Sequence, residues 1–195
     1  MQKTFNPQFI TVLCFILFVA LFRIATASIG GPLQHFSPLG AMALFGGAYF
    51  SNKPKVYFFT LGTLLISDFV MNKVVYGGKY GFFYDRWYMT YIIFAAIVFL
   101  GNIYLKNIST SKIVIATILT PVFHWLVSDF FVWYFGGINI LTQQPLSKNW
   151  AGLSQCFAQG FPFMQNFMIG TIVFSTIMFG GYEYFKKADF KLKFA

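Results

Sequence analysis

Four ionisable side chains lie inside long apolar stretches of the chain: Arg23, Asp68, His124 and Asp129. Charge in hydrocarbon is costly, so residues of this kind pair with one another, face a bundle interior or line a wet cavity. Their chemistry allows three roles: a structural ion pair, polar contacts to a solute, or proton movement between carboxylate and imidazole. One arginine neutralises one aspartate. A second aspartate and a histidine leave a polar surplus that cohesion alone does not require. Spacing adds to this, because His124 and Ser128 are one helical turn apart, as are Trp125 and Asp129, and Asp129 and Trp133. Polar groups and indoles therefore share neighbouring faces of one helix, with Pro121 loosening it just before them. Aromatic walls carrying a few polar groups suit a small-molecule pocket, and the same stripe also suits a lipid-facing belt.

Catalytic constellations are absent from the sequence. It contains no His-Glu-x-x-His or paired Cys-x-x-Cys metal spacing, no glycine-rich phosphate loop with its lysine, and no Gly-x-Ser-x-Gly elbow. His124 and Ser128 have no third member and no oxyanion hole in sight. The expectation is a protein that is not an enzyme and uses no cofactor and no metal.

The elements that position these residues follow from composition. Of 195 residues, 57% are apolar and 10% charged, too few charges to clothe a water-soluble domain. The apolar residues gather into long runs, as lipid demands of helices that satisfy their own backbone hydrogen bonds; a β-barrel would alternate instead. The reading is an all-α integral membrane protein, one transmembrane domain over 1–195, with about six helices in one bundle. The spans are placed at 9–29, 34–50, 56–75, 88–105, 113–135 and 162–185. The second is short and rich in small residues, and its Ala43 and Gly47 form a small-xxx-small pair suited to close helix contact inside the chain. The stretch 136–160 is mixed in character and fits a short interfacial helix.

Basic loop residues stay on the cytoplasmic side. Six spans collect Lys3, Lys53, Lys55, Lys106, Lys112, Lys186, Lys187, Lys191 and Lys193 on one side, against Lys73, Lys79, Arg86 and Lys148 on the other. Both termini are expected in the cytoplasm, in a bacterial inner membrane, and the net charge of +9 serves as an anchor rather than a nucleic-acid surface. Ala25-Thr26-Ala27 resembles a signal-peptide cleavage site, but Arg23 is out of place in a signal's apolar region. Cys14, in the inner part of the first span, and Cys156, in an outer loop, are too far apart for a disulfide.

With this topology Arg23, Asp68 and Asp129 fall about two-thirds of the way to the outer surface, with His124 nearer the middle. His35, Gln165 and Asn166 join the same outer layer, which makes it the candidate site. Trp125 and Trp133 would be its apolar walls, and Trp87 or Trp150 would close its mouth. A faint internal echo supports a shared cavity, since Ser67-Asp68-Phe69 matches Ser128-Asp129-Phe130 and each is followed by a Gly-Gly turn.

The segment from His35 to Phe50, His-Phe-Ser-Pro-Leu-Gly-Ala-Met-Ala-Leu-Phe-Gly-Gly-Ala-Tyr-Phe, resembles a stretch shared by a family of uncharacterised six-span bacterial inner-membrane proteins, Asn-Phe-[Ser/Thr]-Pro-x-[Gly/Ala]-Ala-x-Ala-Leu-Phe-Gly-Gly. Ser67-Asp68, Ser128 to Trp133, Gly152-Leu153-x-x-Cys156 and Pro162-Phe163 continue the resemblance. In size and layout that family is similar to the substrate-binding S components of energy-coupling-factor vitamin transporters. His35 and Asp129 stand where the family would have asparagine, and the Ala-x-x-x-Ala docking pattern of S components is not met, because Ile24 follows Ala20. The resemblance implies an outward-facing pocket for a small solute such as a vitamin or cofactor precursor, and the layer of polar residues found above would line it with Arg23, His35, Asp68, His124, Trp125, Asp129, Trp133 and Asn166. Its partners would be the lipid bilayer, the solute and coupling and ATPase subunits, with no nucleic acid. The alternative is a non-transporting scaffold in which the charges are glue. A fully paired, dry cluster would favour the scaffold, and a cavity with an unpaired polar group would favour binding.

Overall fold

The computed structural model describes residues 18–19, 21–26, 28–29, 35–49, 53–79, 81 and 83–187. Among these, all regular structure is helical apart from one isolated antiparallel bridge between Ile138 and Pro145. The N-terminal residues that are described, 18–19, 21–26 and 28–29, are helical. After them come α1 (Leu39–Tyr49), α2 (Lys53–Val70) with a π-helical turn at Met71–Val75, α3 (Trp87–Tyr104), α4 (Thr110–Tyr134) and α5 (Trp150–Lys187).

Among the described residues, four stretches are long and apolar enough to cross a membrane: Pro54–Val75, Trp87–Tyr104, Thr110–Tyr134 and Trp150–Tyr184. The first expected span, 9–29, lies partly outside the described residues. The second, expected at 34–50, is the 11-residue α1, which rises only ~17 Å and is too short to cross ~30 Å of hydrocarbon alone. Ser37 and Pro38 start it: the Ser37 hydroxyl accepts from Leu39 N at 3.3 Å, and proline suits a first helical turn.

Being apolar on every side, α1 is buried from Leu39 to Gly47 and forms the centre of the bundle, against α3, α5 and α2. Its small residues permit this. A Cβ on Gly47 would stand 2.7 Å from Val98 O and 2.9 Å from Asn102 N, so α1 and α3 touch backbone to backbone, and Ala43 beside it is fully buried. Near Gly47 the bundle is filled by rings: Phe45 and Phe179 lie 5.3 Å apart and Tyr49 and Tyr182 4.1 Å. The Tyr49 hydroxyl donates to Glu183 Oε1 at 2.7 Å there.

The last helix departs from the expected 162–185. It begins at Trp150 and runs through Pro162, because its N-terminal half packs antiparallel along the C-terminal half of α4. That contact offsets the one backbone hydrogen bond that a proline forfeits. Its 38 residues span ~57 Å, so it must project beyond a bilayer core. Pro121 likewise lies inside an unbroken α4. The loop from Phe135 to Asn149 folds back on the end of α4. Gly136 takes φ 88°, Gly137 N donates to Val132 O at 2.8 Å and Leu146 N to Gly137 O at 2.9 Å.

Candidate functional site

Arg23, on the N-terminal helical segment, pairs with Asp68 of α2, Nη2 to Oδ1 at 2.9 Å, and donates through Nη1 to the Ser67 hydroxyl. Tyr91 of α3 adds a hydrogen bond from its hydroxyl to Asp68 Oδ2 at 3.2 Å. Asp68 is therefore satisfied by donors from two other helical segments, as buried charge requires. One turn further on, the π-helical turn, closed by Tyr76 N donating to Met71 O at 3.1 Å, puts Met71 and Asn72 into the same wall. In the following loop, Tyr84 donates to Thr90 Oγ1 at 3.1 Å. Burial, with the Asp68 charge nearby, pushes the Tyr84 phenol up to about 12, so it stays a donor at neutral pH.

These groups form one side of a cavity of about 770 Å³. The other side comes from α4 and α5. His124 lies between the rings of Phe94 and Phe167, with centroids 5.4 and 5.1 Å away. The His35 ring, on a residue with φ 69°, meets the edge of Phe163 at 4.8 Å. Trp125 packs edge-on against Phe157 and Phe161 and donates its indole N–H to Phe157 O at 3.1 Å. Asp129 lies one turn after Trp125. Its Oδ1 accepts a long bond of 3.4 Å from Ser128, while Oδ2 is buried with no hydrogen-bond partner among the described residues.

Glycine at position 160 makes this arrangement possible. A Cβ there would overlap the Asp129 carboxylate, so the acid lies directly against the α5 backbone. Cys156, one turn earlier on α5, donates its thiol to Asp129 O at 3.3 Å. It belongs to this helix rather than to an outer loop and lines the cavity; Cys14 lies outside the described residues.

The structure thus gathers Arg23, His35, Asp68, His124, Trp125 and Asp129 around one cavity. Trp133 and Asn166 are not among its lining residues. Trp133 stands one turn beyond Asp129 and leaves the wall, because the helix is ending; its indole N–H donates to Ser147 O at 2.8 Å, and the Lys148 ammonium stands 5.2 Å from its ring. Asn166 is rotated by one position from Phe167, the residue that faces inward. Neither Trp87 nor Trp150 lines the cavity: Trp87 stacks on Phe83 and Trp150 is 80% exposed. The cavity also uses Tyr84, Phe94, Gln159, Gly160 and Phe163, which the reading of charges did not single out. Gln159 ties the cavity to the outer loop by accepting from Ile140 N at 2.9 Å and donating to Ile138 O at 3.2 Å. Among the described residues no group of three or more His, Cys, Asp or Glu could hold a metal ion.

Fold and site define an all-helical protein of membrane type with a partly open cavity walled by aromatic rings and ionisable groups, of which Asp68 is buried. More particularly, the chain belongs to a family of unknown function, DUF6580, whose profile matches residues 3–192. No curated protein and no solved structure matches it.

Proposed function

We propose that this protein is a membrane-embedded binding or transport component that captures a small solute in the cavity between the N-terminal segment, α2, α4 and α5. The observation that carries this reading is Asp129: it lines the cavity, its Oδ1 holds one long bond from Ser128, and its Oδ2, buried against Gly160, has no donor among the described residues. A bundle held only by internal pairs would gain by satisfying that atom, because a buried unpaired acceptor costs about 1–3 kcal/mol. The cavity's size falls within the ~300–1,000 Å³ of small-molecule sites, and its mixture of rings and a few polar groups is theirs too. The Arg23–Asp68 pair, taken alone, fits a scaffold; Asp129 is what a scaffold leaves unexplained.

In this reading the N-terminal segment and α1 complete a six-helix, S-component-like bundle in a bacterial inner membrane. Both termini are cytoplasmic, and the ring cluster around Tyr49 and Tyr182 closes the inner end. Two of the four basic residues assigned to the outer side are tied up as caps on the C-terminus of α4. Lys148 donates to Trp133 O and Tyr134 O, and Arg86 to Phe135 O at 3.0 Å. The sequence carries no ATP-binding motif, so uphill transport would draw on coupling and ATPase subunits or on an ion gradient.

The test is thermal unfolding of the detergent-purified protein across a panel of vitamins, cofactor precursors and metabolites, with Asp129→Ala in parallel. A ligand at 100 times its Kd stabilises by about 2.7 kcal/mol, which raises the midpoint by roughly 5–11 °C for a chain of this length. A hit lost in Asp129→Ala supports the pocket. A complete panel without a hit, with Asp129→Ala merely less stable, favours the scaffold.

A further inference from the structure

We infer that the solute is a small organic cation, an ammonium or amidinium head on a flat apolar body, with the head donating to Asp129 and the body lying among the rings of Trp125, His124, Phe163 and Phe167. The inference rests on the pocket reading above and adds the chemical class of its occupant. Three observations lead to it.

The first is the sign of the charge. Two aspartates and one arginine line the cavity, and the arginine is already bound to Asp68 and Ser67. Its guanidinium is committed and offers little to an anionic solute, whereas no basic side chain is paired with Asp129 among the described residues. The second is the kind of contact missing. The carboxylate of Asp129, a lining residue, holds one long bond from Ser128 and no other donor among the described residues, and an N–H carried on a cation supplies a donor and the countercharge together. The third is the wall. Phe94, His124 and Phe167 contact one another in series, Phe163 meets His35, and Trp125 lies one turn from Asp129. Ring faces attract cations as well as flat apolar groups.

A bare metal ion fits poorly. Hard cations need about six or more oxygen ligands and zinc-like ions a compact cage rich in nitrogen and sulfur, and no group of three candidate ligand residues occurs among the described residues. Gly160 fits the same picture, because the absence of a side chain there fixes where the carboxylate rests.

The experiment compares three probes that share a phenyl-alkyl body: phenethylammonium, 2-phenylethanol and 3-phenylpropionate. Binding to the detergent-purified full chain is measured by equilibrium dialysis at neutral pH. The expected result is that phenethylammonium binds most tightly and that Asp129→Asn, an isosteric change that keeps the fold, weakens it roughly 10- to 150-fold, the range of one hydrogen bond to a charged group. Gly160→Ala, which keeps the charge and displaces the carboxylate, is expected to weaken it as well. Thermal unfolding of each variant separates lost binding from lost fold. If the alcohol or the carboxylate binds as well as the ammonium, or if ammonium binding survives in Asp129→Asn, the cation assignment is overturned while the pocket stands. If none of the three binds, the assignment is likewise overturned, and the metabolite panel decides the pocket separately.

Discussion

Replacing Arg23 with methionine keeps most of the side chain's length and removes a guanidinium that meets both Ser67 and Asp68. The Asp68 side chain is 5% exposed and that of Arg23 16%, so the carboxylate stays buried as a charge with the Tyr91 hydroxyl beside it. Breaking a buried pair from one side costs about 3–5 kcal/mol. At roughly 2–4 °C per kcal/mol for a chain of this size, the thermal midpoint in detergent should fall by about 6–20 °C. Asp68→Leu alone leaves Arg23 charged but less deeply buried and able to keep its bond to Ser67, so its loss should be smaller. The double variant Arg23→Met/Asp68→Leu replaces the pair with apolar groups of similar volume, an exchange that is often neutral or stabilising. Its midpoint should return to within a few degrees of the starting protein. The double-mutant cycle isolates the coupling. If the double variant is as unstable as the sum of the singles, the pair does not hold the N-terminal segment to α2, and the separation between a satisfied Asp68 and an unsatisfied Asp129 fails with it.

Four further outcomes follow from contacts elsewhere. Gly160→Ala should lower stability by about 1–3 kcal/mol, read as a fall in the thermal midpoint, because its Cβ would overlap the Asp129 carboxylate; no change would mean that the acid does not rest on α5. Gly47→Ala should cost a similar ~1–3 kcal/mol because the atoms it meets, Val98 O and Asn102 N, are backbone. By contrast, Gly62→Ala, with nothing within 4 Å of its Cβ, should be neutral or gain about 0.5–1 kcal/mol in the same melt. Trp133→Phe removes the N–H that holds Ser147 O and should loosen the 135–149 loop by about 0.5–1.5 kcal/mol, seen as faster proteolysis there. Phenethylammonium affinity should not move, and a large fall would return Trp133 to the cavity.

Charge in an apolar run was the signal that carried furthest in the sequence. Because burying charge is expensive wherever it occurs, Arg23, Asp68, His124 and Asp129 could be assigned to one layer before any contact was known, and one cavity now holds all four. Periodicity along one helix carried less far. The i, i+4 stripe from Trp125 through Asp129 to Trp133 says which residues share a face, not where a neighbouring helix stops covering it, so Trp133 fell to the loop. The same limit hid Gly160 and Pro162. In isolation they read as a break, yet contact along α4 keeps α5 helical through both, and Gly160 becomes the seat of the Asp129 carboxylate.

The repeated Ser-Asp pair shows why local likeness cannot assign roles. Both aspartates reach the same cavity. Asp68 is met by Arg23 from a distant segment and by Tyr91 from an uncharged helix. Asp129, with the same serine before it, is met by neither, and its Oδ2 is left without a donor. Sequence distance decides the difference: the partner of Asp68 lies 44 residues from Ser67 in the chain, and only the folded bundle shows that no second arginine reaches Asp129. The chemistry of the pocket lies in that asymmetry, since two paired acids would make a dry bundle and two unpaired acids would repel one another. One of each fits the proposed pocket: a stable frame at Asp68 and, at Asp129, the one acid left for a positively charged solute.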